Sequence, residues 1–161
     1  MNVNFKKNYF YFLFIALIFL ADRASKIIIL NIFEKLEFAS IKINSFLNFS
    51  LVWNDGIAFG LFSLEKDFYY NILTSIILLI AIFIFFLAYR ASNLLEKLSY
   101  LMIAGGATGN IFDRLYYSSV VDFIDITINN FHWFIFNVAD IFITIGIVIL
   151  IIREFVNKKY E

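Results

Sequence analysis

The chain alternates between long apolar stretches and short polar ones, and four of the apolar stretches are long enough to cross a membrane as helices. A helix needs about 20 residues to span a bilayer. The four stretches cover about 9–30, 68–89, 94–112 and 131–152. The second contains no charged residue, whereas Glu96 and Lys97 open the third and make it the weakest. The pattern predicts an all-α membrane protein, a four-helix bundle formed by one domain over residues 1–161.

Residues 41–62, between the first two spans, follow a different pattern. Apolar and polar positions alternate loosely, β-branched and aromatic residues are frequent, and an Asn-Asp-Gly turn signal occurs at 54–56. This pattern predicts a small β element of two or three short strands, lying on the membrane surface against the helix ends. By spacing alone, the segment 54–60 is more typical of a hairpin turn than of a functional site.

The distribution of charge gives the bundle an orientation. Because the number of predicted spans is even, both chain ends lie on the same side of the membrane. The two ends and the loop 90–97 carry seven basic and three acidic residues, whereas 22–67 and 113–140 carry six basic and ten acidic residues. Loops rich in lysine and arginine stay in the cytoplasm. We therefore expect both termini in the cytoplasm and the unusual polar residues, with the β element, at the outer face.

The first span also resembles a secretory signal peptide, because Lys6 and Lys7 precede its apolar core. However, the apolar character resumes at Ile27, and no pair of small residues provides a clean cleavage site. We therefore interpret this segment as a retained membrane span.

Composition limits the possible chemistry. The chain is 62% hydrophobic, with 22 phenylalanines, whereas an average soluble domain is roughly 45–50% apolar. Its formal net charge is zero, so no nucleic-acid partner is indicated. It has no cysteine, which excludes a thiol nucleophile and a thiolate metal site, and its single histidine, His132, disfavours a histidine-based metal centre and a serine–histidine catalytic pair. No metal and no cofactor are predicted.

Asp140 is the residue that points most directly to a function. It lies inside the apolar run 131–152, where a carboxylate near the bilayer centre costs about 2.5–3.5 kcal/mol or more. Charged residues kept at such positions usually serve chemistry or transport. A second carboxylate, Asp122, lies near the outer end of the same hydrophobic layer. Two carboxyls that share one proton can act as general acid and general base, so the pair predicts acid–base chemistry.

Asp22 and Lys26 are four residues apart and so lie on one face of the first helix, at its outer end. Two interpretations remain open for them. They form either an ion pair at the membrane interface that reaches toward water, or a charge pair that borders a site and sets its electric field. Ser25 does not form a serine–lysine dyad with Lys26, because adjacent helical residues point about 100° apart.

The segment 105–114, G-G-A-T-G-N-I-F-D-R, is denser in unusual residues. Its glycines at 105 and 109 form a small-residue face that lets another helix approach closely. They do not explain the polar residues Asn110, Asp113 and Arg114, which share one helical face. From this face Arg114 can neutralise or bind a nearby carboxylate.

Asn137 and Asp140 likewise share a face of the fourth span, and two polar groups at membrane depth are expected to point into the bundle. For Asp125 we favour a solvated loop charge. For His132 and Trp133 we favour the aromatic belt that is common at membrane edges.

Three classes of protein are compatible with these patterns. A membrane peptidase would use the aspartates to activate water. A small cation- or proton-coupled transporter would use them as ion ligands, but it predicts matching polar positions in two repeated halves, which the chain lacks. A membrane scaffold without activity leaves Asp140 unexplained. From spacing alone, the sequence predicts a polytopic membrane protein with a carboxylate site at its outer face.

Five motifs, taken in order, resemble the lipoprotein signal peptidases, the type II signal peptidases of bacteria. They are D-x-x-x-K at 22–26, N-x-G-x-A-F at 54–59, G-G-x-x-G-N-x-x-D-R at 105–114, V-D-F at 121–123 and F-N-x-A-D at 136–140. The resemblance covers essentially the whole chain, and the combination is highly specific although no single motif is. It implies a four-helix aspartyl protease of the bacterial cytoplasmic membrane, with its site at the outer leaflet.

The resemblance also implies roles for individual residues. It places the catalytic pair on Asp122 and Asp140. It places supporting and substrate-binding roles on Asp22, Lys26, Asn54, Gly56, Asn110, Arg114 and Asn137. The implied substrate is a prolipoprotein with a diacylglyceryl-modified cysteine just after the scissile bond, whose acyl chains remain in the membrane lipid.

Overall fold

The computed structural model describes residues 3–36, 40–56, 67–128 and 131–158, which form mostly helices and one small antiparallel sheet. The helices are α1 (Val3–Lys35), α2 (Asp67–Arg90), α3 (Leu94–Tyr117) and α4 (Val138–Lys158). The strands are β1 (Ser40–Lys42), β2 (Leu47–Asn54), β3 (Val120–Ile128) and β4 (Phe131–Phe136). The four predicted helical segments are therefore present, although α1 is longer at both ends than predicted, α3 continues five residues further, and the boundaries of the fourth differ.

Helix α3 is central and packs against α1, α2 and α4. Its glycines permit this, as the small-residue pattern predicted. A Cβ at Gly105 would lie 3.1 Å from the side chain of Ile18 on α1, and a Cβ at Gly106 would lie 2.5 Å from the backbone oxygen of Ala139 on α4. Any side chain at Gly106 would therefore push α4 away from α3.

The sheet has the strand order β1-β2-β3-β4, and every neighbouring pair is antiparallel. Strands β1 and β2 form a hairpin whose turn is closed by Asn44, because its side-chain oxygen accepts from the backbone N–H groups of Phe46 and Leu47. The register of β2 against β3 is interrupted between Phe49 and Val52, where β2 carries one extra residue in a bulge.

Two predictions about this sheet need correction. It is larger than expected, because 120–136 contributes two strands in addition to those of 41–62. The hairpin that joins β1 and β2 turns at Asn44, which the sequence did not predict, whereas the turn signal at 54–56 follows the end of β2, where the N–H of Gly56 donates to Oδ1 of Asn54. The part of the predicted β element from 57 to 62 lies outside the described residues.

The predicted fourth span, 131–152, is wrong at its beginning. Residues Phe131–Phe136 form β4, and α4 begins only at Val138. Asp140 therefore lies in the first turn of a helix rather than deep inside one, at the end of the bundle where α3 leads into β3 and β4 leads into α4. This corrects the premise that Asp140 lies near the centre of a span.

Among the described helices, only α2 has the length and the apolar composition needed to cross a membrane. Its membrane-spanning candidate segment is Tyr69–Arg90, with a mean hydropathy of 2.9. The prediction of four membrane-spanning helices stays a prediction.

Candidate active site

Asp122 lies on β3 and is 3% exposed. Its Oδ1 accepts a hydrogen bond of 2.6 Å from Nδ2 of Asn137, and its Oδ2 accepts one of 2.9 Å from Nδ2 of Asn54. Burial and, after it, the negative charge of Asp140 raise the pKa of Asp122 to about 7. The site therefore keeps the carboxyl group of Asp122 near the midpoint of its titration at neutral pH.

Asp140 is held by a reciprocal cap at the start of α4. The side-chain oxygen of Asn137 accepts from the backbone N–H of Asp140 at 3.1 Å, and Oδ2 of Asp140 accepts from the backbone N–H of Asn137 at 3.1 Å. This is a capping box, in which the N-cap residue and the third residue of a helix satisfy each other's backbone donors. The cap fixes the carboxylate of Asp140 beside the amide of Asn137, which also binds Asp122.

Asn110 of α3 completes the link between the two aspartates. Its Nδ2 donates to Oδ1 of Asp140 at 2.8 Å, and its Oδ1 accepts from Nδ2 of Asn137 at 3.1 Å. The same oxygen accepts from Nζ of Lys26 at 3.0 Å. The lysine therefore fixes which way the amide of Asn110 faces, so that its N–H points at Asp140.

Asp22 and Lys26 are each 0% exposed, so the interpretation of an ion pair at the membrane interface is wrong. Nζ of Lys26 lies 2.9 Å from Asp22 and 2.7 Å from Asp113. The absence of a side chain at Gly109 makes room for this pair, because a Cβ there would lie 2.6 Å from Oδ2 of Asp22. The second interpretation, a charge pair bordering the site, agrees with the geometry.

Arg114 and Gly56 are linked to Asp122 through Asn54. NH2 of Arg114 donates to the backbone oxygen of Gly56, whose N–H in turn donates to Oδ1 of Asn54 at 3.0 Å. The guanidinium group also lies over the ring of Tyr70 on α2, 5.5 Å from its centre. Arg114 thus holds the turn that aims Asn54 at Asp122. It binds a carbonyl group, where the sequence suggested a carboxylate.

The structure brings the predicted residues together in one network. The predicted site residues did not include Arg23, and Asp113 was named only as an unexplained polar residue of α3; outside the network, Asp125 was misjudged. Arg23 and Asp113 are buried charges within the network, at 8% and 0% exposure. Asp125 is 1% exposed and accepts from Asn48 and Ser50 on β2, so its interpretation as a solvated loop charge is wrong. The alternation of the strand Val120–Ile128 was the available signal, since it places Asp125 on the same face as the apolar Phe123.

A cavity of about 430 Å³ opens beside Asp140, between β4 and α4. Its lining is apolar apart from Asp140 and Thr144. The lining residues are Phe134, Ile135, Phe136, Asp140, Ile141, Ile143, Thr144, Ile145 and Ile147. A carboxylate on the wall of an apolar cavity is suited to a ligand that is largely hydrocarbon but carries a polar group.

The fold and the site together define a helical protein with a pair of buried aspartates at one end of its bundle. A family model described as Signal peptidase (SPase) II matches residues 14–156. The chain is 46% identical over 160 residues to the lipoprotein signal peptidase of Pelagibacter ubique (strain HTCC1062), covering 98% of this chain and 96% of that one. It is 45% identical over 147 residues to the lipoprotein signal peptidase of Wigglesworthia glossinidia brevipalpis, covering 91% and 92%.

A solved structure agrees with this assignment. It is described as a bacterial membrane enzyme determined by the in meso method at 2.3 Å resolution, and it matches with a TM-score of 0.76 and 31% identity over 94% of this chain and 90% of that chain. The chain therefore belongs to the signal peptidase II family. Its function is that of a membrane signal peptidase, which confirms the resemblance, and the transporter alternative is not favoured.

Proposed function

We propose that the protein removes the signal peptides of prolipoproteins by letting Asp122 and Asp140 activate a water molecule. The observation that carries this proposal is the arrangement of Asn137, which bonds to the carboxylates of both aspartates and so keeps them side by side. The names of the relatives, lipoprotein signal peptidases, support the choice of substrate.

The chemistry follows from two carboxyl groups that hold one proton between them. We place that proton on Asp122, because its pKa lies at about 7. Asp140 lies in the first turn of α4, where the helix dipole stabilises a negative charge, so it serves as the base. It accepts a proton from water while the water oxygen bonds to the peptide carbonyl carbon, and Asp122 donates its proton to the carbonyl oxygen.

The second half of the reaction breaks the C–N bond. The proton that Asp140 accepted passes to the departing nitrogen, and the hydroxyl proton that came from Asp122 returns to it as the new carboxyl group forms. Asn54, Asn110 and Asn137 supply no proton in these steps. They orient the carboxylates, since each donates a side-chain N–H to one of them.

The surroundings of Asp140 support a lipid-modified substrate. The apolar cavity beside it gives hydrocarbon a place next to the reacting carboxylate, so that a diacylglyceryl-modified cysteine can be anchored by its acyl chains while the peptide reaches the aspartates.

We also propose that all four helices span the membrane, with both termini in the cytoplasm and the site at the outer leaflet. Each helix has at least 21 residues, which at about 1.5 Å per residue reaches across the hydrocarbon layer of roughly 30 Å. The charge distribution of the sequence sets the direction. Reporter fusions after the C-terminus should report cytoplasm, and fusions at Asn44 or Ser118 should report the outer side. A cytoplasmic signal at Asn44 would overturn the orientation.

The function is tested by incubating the purified protein with two precursors that differ only in the diacylglyceryl group on the cysteine. We expect cleavage before the cysteine of the lipidated precursor and a kcat/KM at least 100-fold lower for the bare one, since binding of the acyl chains positions the peptide. Equal kcat/KM values for the two precursors would show that the site does not read lipid. If neither precursor is cleaved, the proposed function is contradicted.

A further inference from the structure

A cluster of four charges lies beside the two aspartates of the proposed catalytic pair, and the chemistry above does not use it. Its members are Asp22, Arg23 and Lys26 of α1 and Asp113 of α3, and each is at most 8% exposed. Both cations bridge both carboxylates. The guanidinium group of Arg23 lies 3.0 Å from Asp22 and 2.6 Å from Asp113, and Nζ of Lys26 lies 2.9 Å and 2.7 Å from the same two residues.

The two carboxylates of this cluster also hold the backbone of the catalytic pair. Oδ2 of Asp113 accepts a hydrogen bond of 3.2 Å from the backbone N–H of Val121, the residue before Asp122. Oδ1 of Asp22 accepts one of 3.0 Å from the backbone N–H of Ala139, the residue before Asp140. The cluster therefore joins β3 to the start of α4 at the two positions that carry the reacting groups.

Arg23 is the member that makes the cluster electrically neutral. Without it, two buried carboxylates would face one lysine, and an uncompensated buried charge is costly. The environment is built for the guanidinium group, which lies 4.8 Å from the centre of the Phe112 ring, next to Asp113. This packing keeps the long side chain in place against both carboxylates.

We propose that Arg23 and Asp113 are positioning residues of the peptidase: with Asp22 and Lys26 they form a neutral bracket that fixes the distance between Asp122 and Asp140 and keeps net charge away from them. The inference rests on the proposed function of that pair. It predicts that the protonation of the pair depends on the charge balance of the bracket.

The pH at which the pair loses its shared proton reports this balance. The described charged or titratable groups around the pair are Asp22, Arg23 and Lys26 of α1, Tyr70 of α2, Asp113 and Arg114 of α3, and Asp125 of β3. Removing one positive charge from the bracket leaves it negative, which disfavours a second negative charge on the pair. Removing one negative charge has the opposite effect.

The experiment measures kcat/KM against pH on a lipidated precursor for the wild type, R23Q, D113N and R23Q/D113N. The alkaline midpoint should rise in R23Q and fall in D113N, each by roughly half to one pH unit, as expected for one unit charge in a partly buried site. In the double variant the bracket is neutral again, so the midpoint should return to that of the wild type. R23K, which keeps the charge, should keep the midpoint.

R153Q is the matched control. Arg153 pairs with Glu96 at 2.8 Å, at the ends of α4 and α3 that lie away from the site, so the alkaline midpoint of this variant should equal that of the wild type. Lower kcat/KM in R23Q and D113N without any shift of the midpoint would overturn the inference, since a purely structural role predicts that result. If R23Q does not fold, D113N alone decides: a lower alkaline midpoint supports the inference, and an unchanged midpoint overturns it. Wild-type protein that cleaves no precursor would instead contradict the proposed function.

Discussion

Asn137 and Asp140 cap each other at the start of α4, each accepting a hydrogen bond of 3.1 Å from the backbone N–H of the other. The arrangement serves the helix and the site together. It satisfies backbone donors that would otherwise lack partners at the helix end, and it fixes the carboxylate of Asp140. The remaining N–H groups of Asn137 are left to bind Asp122 and Asn110.

The two roles of Asn137 can be separated by substitution. Asn137→Ser keeps a good capping oxygen but loses the amide that donates to Asp122, whereas Asn137→Ala loses both. Both variants lose the buried hydrogen bonds of the amide, and we expect the alanine variant to be about 1 kcal/mol less stable than the serine variant, because only serine keeps a capping oxygen. Both should lose most activity. Thermal unfolding in detergent together with kcat/KM checks this, and full activity in the serine variant would contradict the positioning role.

The glycines of α3 should differ in what they tolerate. A methyl group at Gly106 meets the backbone oxygen of Ala139 at 2.5 Å, and one at Gly109 meets Oδ2 of Asp22 at 2.6 Å. At Gly105 it meets only the side chain of Ile18, at 3.1 Å, which can adjust. We therefore expect Gly106→Ala and Gly109→Ala to lose activity and stability, and Gly105→Ala to lose little of either. The three variants are compared by thermal unfolding and precursor cleavage, and equal losses would contradict this ranking.

The raised pKa of Asp122 predicts how activity depends on pH. Because burial and the charge of Asp140 raise this pKa to about 7, the pair should lose its shared proton as the pH rises through about 7. The kcat/KM value for a lipidated precursor should therefore fall above that pH. A profile that keeps rising to pH 9 would contradict the assignment of the acid.

The same pKa has a consequence for stability. The folded state binds the proton more tightly than the unfolded state, so this contribution is fully present below the unfolded pKa of about 3.8 and is lost as the pH rises through about 7. The free energy of unfolding should fall over that range. Asp122→Asn should flatten this part of the pH dependence, and an unchanged slope in that variant would show that other groups cause it.

The cavity beside Asp140 should contribute to binding of the lipidated substrate. Thr144→Phe would fill part of it, whereas Thr144→Val keeps nearly the same volume. We expect the phenylalanine variant to raise KM for the lipidated precursor about tenfold or more, with the valine variant close to the wild type. An unchanged KM in Thr144→Phe would mean that the acyl chains bind elsewhere.

The helices could be predicted from the sequence because each is a long apolar segment, and the residues of the site could be named because they occur in recognisable motifs. The position of Asp140 in the first turn of α4 could not be predicted. The strand Phe131–Phe136 is as apolar as the helix that follows it, and only Asn137 separates the two, so hydrophobicity alone merges them into one span.

The bracket around the site was missed for a different reason. Arg23 follows Asp22 directly, and on a helix adjacent residues point in different directions, so the sequence gives no sign that Arg23 reaches both Asp22 and Asp113. The length of the arginine side chain makes the contact possible. Asp125 was misjudged because a polar residue near a turn is more often solvated, whereas here Asn48 and Ser50 of the neighbouring strand cover it.

The most direct test of the account is cleavage of a lipidated precursor by Asp122→Asn, Asp140→Asn and the double variant, measured in single turnovers on protein shown to be folded. An amide can neither accept a proton from water nor share one with its partner, so each single variant should lose at least about 100-fold in rate. The double variant should be scarcely slower than either, because the two groups act as a unit. Glu96→Gln, which removes a carboxylate at the other end of the bundle where Glu96 pairs with Arg153, is the control and should cleave normally. Near-normal turnover by either single variant would contradict the aspartyl mechanism.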